Sequence, residues 1–321
     1  MRFLIRRLRS LNPNVKVEYE KGILSNDYSE WLSEQILKGT EPDVYLVLDE
    51  DFNTLASLGA LKNLDMLVGG DKEFDFNVFY SSVYKAGQYE GSQYALPMEC
   101  NPTLMFVNKT LLQKEGIKVP DNDWTWDDFY DICKTIVKDS DGDGQMDQFG
   151  CYDYTWLQAV YSNGITPFNQ SGTSSNFLDE KFSQSLEFVK RLEATNRNYQ
   201  VTSNDFDLGK VAFRPFTFSD YRTYMPYPWR IKKYSGFEWT CIRMPAGPSG
   251  DNRSEMSALM AGMSSRTEKK QCAWDFVKLL TTDTDIQKLV YEDTSAASVL
   301  KSVNTSQDTM NLLNKDTPGD S

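Results

Sequence analysis

Two hydrophobic spacings recur along this chain, and they separate its predicted strands from its predicted helices. Short continuous apolar runs, at residues 44–48 within a predicted strand at 42–48 and at residues 104–107, are typical of strands buried on both faces. Apolar residues three and four apart, after Thr125 and again from Phe182 to Leu192, predict amphipathic helices with one face in a core. The pattern therefore predicts a chain that mixes buried strands with helices.

Local signals mark where several of these elements begin and end. Thr125 stands three residues before Asp128, a variant of the capping box that starts a helix. A second helix is predicted from Ser29 through Ile36, with Gly39 as its stop signal. Glu90 and Gly91 indicate a tight turn. Residues 87–138 are thus predicted to run as turn, strand, loop and helix.

Length and charge limit the class of protein. A chain of 321 residues exceeds what one hydrophobic core usually serves, so two lobes are expected. The net charge of −12 argues against a nucleic-acid partner, which would need a basic face. No stretch approaches the roughly 18 to 20 apolar residues of a membrane span.

The reactive side chains argue against an enzyme. The chain has no histidine, so the commonest general base and the commonest neutral metal ligand are both missing. Its five cysteines are odd in number and widely spaced, with no CxxC pair, which is neither a zinc pattern nor a disulfide framework. We expect them to be buried free thiols.

An acidic loop at residues 139–147 is the sharpest local motif. Its carboxylates and glycine follow most of the EF-hand pattern, in which oxygen ligands surround Ca²⁺ and glycine makes the sharp turn. Gly150 stands where the usual bidentate glutamate would be, so binding is weaker or Asp153 supplies a ligand. The alternative is an acidic turn without an ion. The predicted ligands of this structural site are Asp139, Asp141, Asp143, Gln145 and Asp147.

Several segments together resemble one protein family. They are the YALP run at 94–97, the strand at 104–108, the TWDD helix start at 125–128, the GKVAF strand at 209–213 and the strand and turn at 237–248. These resemble the extracellular solute-binding proteins of sugar ABC transporters, a family similar to maltose-binding protein. The resemblance implies an α/β, two-lobed periplasmic-binding-protein-like fold of type II, in which each lobe is a mixed sheet flanked by helices.

The resemblance also implies lobe boundaries. Residues 1–102 with 256–300 would form lobe 1, and residues 103–255 with 301–321 would form lobe 2, joined by hinge crossings. The basic segment 1–9 could be an amphipathic helix at a membrane surface, but the resemblance favours the family's first helix. The family's opening strand, signal peptide and lipobox cysteine are not in the chain as given, and its C-terminal helices look curtailed.

The implied function is capture of a mono- or oligosaccharide between the lobes by hinge closure, followed by delivery to the permease subunits of an ABC transporter. The protein would be a monomer, without catalysis, and extracellular as a membrane-anchored lipoprotein or a periplasmic protein. Two alternatives stay open. One is the same fold with a ligand that is not a sugar, and the other is a truncated interaction protein without a transport function.

Candidate ligand-binding residues come from both predicted lobes. Asp49 and Glu50 follow a strand, and ligands of open α/β sheets collect beyond the carboxyl ends of strands. Their alternative is a solvated acidic loop before a helix at 52–58. Glu99 and Asn101 stand at the predicted crossing, where the alternative is a purely structural role.

Aromatic residues supply the remaining candidates, because flat rings stack on the C–H faces of sugars. In the family, aromatics of this region face the cleft, which favours Tyr154 and Trp156. A second group follows the GKVAF strand and consists of Phe218, Tyr221 and Trp229. For each ring the alternative is a place in the core.

Overall fold

A computed structural model describes residues 14–19, 23–169, 171–224 and 237–316. The described residues form two compact units, one drawn from Met1–Cys100 and Ser257–Leu313, the other from Asn101–Met256 and Asn314–Ser321. We call them unit 1 and unit 2. The basic segment 1–9, for which a helix was considered, lies outside the described residues.

The strands are short except for one. They are β1 (Val44–Val47), β2 (Gln88–Tyr89), β3 (Ser92–Gln93), β4 (Ala95–Asn108), β5 (Phe149–Cys151), β6 (Val211–Thr217), β7 (Trp239–Ile242), β8 (Met256–Met263) and β9 (Ala297–Ser298).

Helices fill most of the connections. They are α1 (Tyr28–Lys38), α2 (Asp49–Ser57), α3 (Asp65–Gly70), α4 (Ser81–Lys85), α5 (Lys109–Lys114), α6 (Trp126–Ile136), α7 (Trp156–Ser162), α8 (Glu180–Ala194), α9 (Ser203–Asp207), α10 (Phe218–Tyr224), α11 (Lys270–Thr282), α12 (Thr284–Asp293), α13 (Lys301–Asn304) and α14 (Gln307–Asp316).

Unit 1 is built on a sheet in which β8 lies between β1 and the first half of β4. β1 runs antiparallel to β8, with Val44 opposite Met263, and β4 pairs antiparallel with β9, with Glu99 opposite Ser298. Leu32 of α1 and Phe52 of α2 are buried against this sheet. Helices that pack their apolar faces on a sheet form an α/β layer arrangement.

Unit 2 has a mixed sheet around the second half of β4. β6 and β7 pair antiparallel with β4, and β5 pairs parallel with β6. An aromatic cluster fills its core, where the rings of Trp126 and Phe188 stack at 4.2 Å and Phe129 meets Phe213 edge to face. Both units therefore have the sheets flanked by helices that the resemblance implied, and the sheet of unit 2 is mixed.

Strand β4 is much longer than predicted. It covers 14 residues and begins at Ala95, so most of the YALP run lies inside the strand and is not a loop. The change from unit 1 to unit 2 falls within it, between Cys100 and Asn101. A second crossing follows Met256, close to its predicted place.

The predicted boundary at residue 300 was wrong. Residues 301–313 belong to unit 1, because α13 continues the packing around β9. The Asn304 amide donates to the Ser298 carbonyl at 2.7 Å, and Val303 is fully buried. These contacts hold the segment in the unit that it follows.

Helix boundaries follow the capping signals where the caps form. Thr125 and Asp128 form the predicted capping box, and Gly39 ends α1 with a φ of 70°. Thr267 also has the residue type of an N-cap, but its hydroxyl donates to Asp43 and α11 starts only at Lys270. The hydrogen bond to Asp43, a residue distant in sequence, competes with capping of the helix by Thr267.

The cysteines are all free, as expected, but not all are buried. Cys100, Cys133 and Cys151 are buried, whereas Cys241 is half-buried and Cys272 is exposed. Burial raises the pKa of the Cys100 thiol to about 12, so this cysteine is unreactive.

Strand β5 packs closely on α6 at Gly150, and a substitution there tests this contact. A Cβ at this position would lie 2.3 Å from Cβ of Cys133 and 2.6 Å from its Cα. We expect Gly150→Ala to lower the free energy of unfolding by about 1–3 kcal/mol, since helix and strand must separate. Gly69→Ala is the control, because a Cβ there would meet nothing within 4 Å. Equal urea midpoints for the two variants would contradict the packing.

Candidate functional site

A cavity of about 720 Å³ lies within unit 2. One wall is the connection from β5 to α7, and the other is the end of α8 with the loop after it. Its lining residues include Tyr152, Asp153, Trp156, Glu193, Asn196, Asn198, Tyr199 and Gln200. The volume falls in the range of ligand sites, about 300–1,000 Å³.

Tyr152 and Asp153 form the first wall and are backed by Arg214 of β6. The Arg214 guanidinium lies 4.8 Å from the centre of the Tyr152 ring and 4.1 Å from that of Phe216. It also lies 3.8 Å from the Asp153 carboxylate. Arg214 therefore positions both residues of this wall, by cation–π contact and by charge.

The Arg214 side chain is itself largely enclosed, with 16% of its surface exposed. Its buried Nε has no hydrogen-bond partner among the described residues. A buried donor without a partner is costly, and such groups in a ligand-binding wall deserve a functional explanation. The guanidinium is thus held mainly by aromatic rings and one exposed carboxylate.

Tyr199 and its neighbours form the second wall. The Tyr199 ring stacks on Phe149 of β5 at 4.4 Å, yet 43% of the residue stays exposed. Its hydroxyl donates to Asp205 at 3.4 Å, and Asp205 also caps α9 through Thr202. The exposed ring is therefore held in a defined orientation.

Backbone strain is concentrated around this cavity. Among the described residues, four that are not glycine have a positive φ, and three of them are Asp153 (64°), Arg197 (51°) and Asn198 (66°). Asp153 and Asn198 line the cavity, and Arg197 is adjacent. Left-handed backbone at such residues is uncommon and clusters at ligand sites. The strain supports a binding role for both walls.

The two aromatics predicted on this side have different surroundings. Trp156 is the first residue of α7, is 41% exposed and lines the cavity, as a ligand-facing ring should. Tyr154 also lines the cavity, but its surroundings favour the core alternative, and its ligand role stays a prediction. Its ring packs edge to face on Phe129 and Phe188, and only 6% of the residue is exposed.

Asn101, Phe218 and Tyr221 come together at the start of α10. The Asn101 amide donates to the Ser219 hydroxyl at 2.8 Å and accepts from its backbone N–H at 2.9 Å. Both ends of this amide are occupied, which favours the structural alternative for Asn101. The rings of Phe218 and Tyr221 stack at 5.9 Å and are half-buried. Their ligand role stays a prediction.

In unit 1, Asp49 and Glu50 are exposed and follow β1, as expected. They do not form a loop, however, because α2 begins at Asp49 and not at residue 52. Acidic side chains in a first helical turn are favourable beside the positive end of the helix dipole. That structural role is enough to explain them, and their ligand role stays a prediction.

Glu99 of β4 is half-buried, and its carboxylate has no hydrogen bond or ion pair to the residues that the structure describes. Burial raises its pKa, since the charged form loses water without gaining a partner. Glu255 has its pKa raised by the same cause. Unpaired carboxylates of this kind occur at ligand sites, among other places.

Some site residues were missed or cannot be placed. Trp229 lies outside the described residues. Tyr199 and Gln200 follow the end of a helix and show no sequence pattern of a binding site. Arg214 interrupts an otherwise apolar strand, and that charge in a buried run was the available signal.

The acidic loop brings three of its carboxylates together. Single oxygens of Asp139, Asp141 and Asp147 lie within 4.8 Å of one another. Asp139 accepts hydrogen bonds from Gly142 and Gly144, which lowers its pKa. Asp143 is outside this group, since its carboxylate accepts from the Gln145 N–H at 2.7 Å.

Asp153 is also outside the group and faces Arg214 and the cavity, which favours the alternative of weaker binding without this ligand. The three grouped carboxylates still provide the oxygen ligands that Ca²⁺ prefers.

Comparison with known proteins identifies the family. Residues 4–286 match the bacterial extracellular solute-binding proteins. The chain belongs to this family. Proteins of this family bind solutes.

Solved structures of this family share the fold. An ABC substrate-binding protein of Listeria monocytogenes, solved with cycloalternan, is 21% identical, with a TM-score of 0.67 over 99% of this chain and 81% of its own. The sugar-binding protein MalE of Xanthomonas citri is 17% identical, with a TM-score of 0.79 over 97% and 78%. UgpB of Mycobacterium tuberculosis, solved with glycerophosphocholine, is 16% identical, with a TM-score of 0.68 over 98% and 79%.

At these identities the similarity shows the fold, and this is the two-lobed periplasmic-binding-protein-like fold predicted from the sequence. Among the described residues, no helix has the length and apolar character needed to cross a membrane.

The buried carboxylate of Glu99 predicts a dependence of stability on pH. Its folded pKa is raised, so the ionised form destabilises the fold, and the protonated form does not. We expect Glu99→Gln to raise the free energy of unfolding at pH 7, with a gain that disappears as the pH falls below the ordinary glutamate pKa. Urea unfolding at both pH values measures this.

Glu34 provides the control of opposite sign. Its pKa is lowered by a hydrogen bond from Lys38, so Glu34→Gln should bring no gain at pH 7. If Glu99→Gln were neutral or destabilising at pH 7, the carboxylate would have a partner that compensates its burial.

Proposed function

We propose that this solute-binding protein binds a carbohydrate, and that the cavity in unit 2 holds part of it. The observation that carries the proposal is the pairing of exposed, fixed aromatic rings with uncharged amides in one cavity. Trp156 and Tyr199 are each more than two-fifths exposed there, beside Asn196, Asn198 and Gln200.

This chemistry suits a sugar better than other small ligands. Aromatic rings cover the apolar C–H faces of a pyranose, while amides and carboxylates pair with its hydroxyl groups. Asp153 accepts hydrogen bonds from hydroxyls and is kept in place by Arg214. A phosphate ligand would instead require a cationic wall, whereas the single lysine of this lining, Lys190, is accompanied by the carboxylates of Asp153 and Glu193. The Listeria protein, solved with cycloalternan, and the sugar-binding protein of Xanthomonas support the same class of ligand.

Delivery to an ABC transporter permease completes the proposed role, since solute-binding proteins work with such transporters. Attachment by a lipid and a monomeric state are predictions from the family resemblance. Binding of a ligand other than a sugar is the main alternative, and the UgpB structure with glycerophosphocholine shows that this fold accommodates one.

Substitutions of Trp156 and Asp153 test whether the cavity binds the sugar. We expect Trp156→Ala to weaken sugar binding about tenfold, since the lost stacking contact is worth about 1 kcal/mol or slightly more. Asp153→Asn should also weaken it, while the asparagine tolerates the left-handed backbone. Thermal shift against a sugar panel would find the ligand, and calorimetry would measure Kd.

The control is Asp251→Asn, because Asp251 is also ion-paired and about half exposed, at 56% against 51% for Asp153. Unchanged sugar affinity in both cavity variants would contradict the assignment of the cavity. A thermal shift with phosphodiesters and none with any sugar would favour the alternative ligand class.

We also propose that the acidic loop binds Ca²⁺ as a structural ion. The proximity of Asp139, Asp141 and Asp147 supports it, as do Gly142 and Gly144, whose φ angles of 81° and 90° allow the loop to turn sharply. The ion would hold residues 139–147 against the start of β5. It would take no part in ligand chemistry.

Calcium binding predicts a metal-dependent stability. At a hundredfold excess of Ca²⁺ over Kd, the native state gains about 2.7 kcal/mol, and EDTA removes the gain. Asp139→Asn and Asp147→Asn should abolish the calcium-induced rise in Tm. Asp143→Asn is the control on the same loop and should retain most of it, because Asp143 lies outside the group. Equal losses in all three variants would instead support the full EF-hand ligand set.

A further inference from the structure

Four aromatic residues of unit 2, three exposed and one buried, contact one another in a row that we call the aromatic ridge: Trp156, Phe182, Phe177 and Phe168. Neighbouring ring centres lie 5.7, 5.0 and 5.4 Å apart along this order. Phe182 is buried beneath the row, whereas Phe177 is 47% exposed and Phe168 is 51% exposed. Contiguous exposed apolar surface of this kind marks interaction sites.

The loop that carries the ridge is held open by its own hydrogen bonds. The Asn169 side-chain oxygen accepts from the N–H of Thr173 at 2.8 Å, and the Asn176 amide donates to the Thr166 carbonyl at 2.9 Å. Phe168 and Ser175 form an antiparallel bridge. The exposed rings are therefore fixed before any partner arrives, which reduces the entropy cost of binding.

The chemistry around the ridge is uncharged. From residue 154 to residue 178 the sequence contains no Asp, Glu, Lys or Arg, although a quarter of the whole chain is charged. The positions between the aromatics are mostly Ser, Thr, Asn, Gln and Gly. Aromatic rings among hydroxyls and amides match a neutral ligand rich in hydroxyl groups, and they offer nothing to a charged partner.

The ridge also continues the cavity, because Trp156 belongs to both. A chain of sugar units that occupies the cavity and leaves it past Trp156 meets Phe177 and Phe168 next. We propose that the aromatic ridge is an accessory binding surface for the protruding part of a neutral oligosaccharide, so that this protein favours long chains over mono- and disaccharides. The inference rests on the proposed carbohydrate function.

The test measures affinity against chain length. Calorimetry would compare wild-type protein with the Phe168→Ala/Phe177→Ala double variant, using maltose to maltoheptaose and mannobiose to mannohexaose. For wild type we expect affinity to rise about tenfold or more from the shortest to the longest bound sugar. The double variant should bind the short sugar with unchanged affinity, but its affinity should no longer increase with sugar length.

Phe76→Ala is the matched control, because Phe76 is 51% exposed like Phe168 but lies in unit 1. Melting curves should show little change in either protein, since the replaced rings are half in water. The ridge proposal would be overturned if sugars bound with an affinity that did not increase with chain length, or if the double variant kept that increase. Either result would leave the carbohydrate function intact. Failure of every sugar to bind would contradict both.

A lipid surface is the competing partner, and the same variants distinguish it. Vesicles of phosphatidylcholine should bind wild type and double variant equally weakly. Vesicle binding that requires Phe168 and Phe177, together with a flat dependence on sugar length, would overturn the proposal.

Discussion

Strand β4 is the element on which both units depend. Its first half pairs with β9 and lies beside β8, and its second half pairs with β6 and β7. A buried backbone must satisfy its hydrogen-bonding groups along its whole length, so the strand fixes the position of every partner strand. Because the unit boundary falls between Cys100 and Asn101, the same strand supports both cores.

Strand β6 connects β4 to the candidate site, because it pairs with β4 and carries Arg214. Its residues alternate between two faces, and Arg214 lies opposite Phe106 in the register with β4. From there the guanidinium reaches Tyr152 and Asp153 at the cavity wall. One wall of the candidate site is thus positioned by strand pairing, which is more rigid than a loop alone.

Aromatic residues of unit 2 have two different roles, one in the core and one at the cavity. Trp126, Phe129 and Phe188 are buried and hold the core, whereas Trp156 and Tyr199 are anchored on one side and exposed on the other. The same ring chemistry stabilises the fold in the first case and is available to a ligand in the second. Exposure, and not residue type, decides between them.

Sequence by itself determined the elements whose signals are local. The capping box at Thr125, the stop at Gly39 and the helical spacing from Phe182 were enough to predict α6, α1 and α8. The family and its fold followed from short segments along most of the chain. Trp156 was identified as a ligand candidate because such residues follow the family pattern.

Only the tertiary structure decided which candidates share a site. Tyr154 and Trp156 are two residues apart and both line the cavity, yet Tyr154 is 6% exposed and packs into the core, whereas Trp156 is 41% exposed. Tyr199 joins them from about 45 residues further along the chain, and its place depends on stacking with Phe149. Local patterns report spacing along one segment, whereas burial and cavity walls arise from contacts between distant segments.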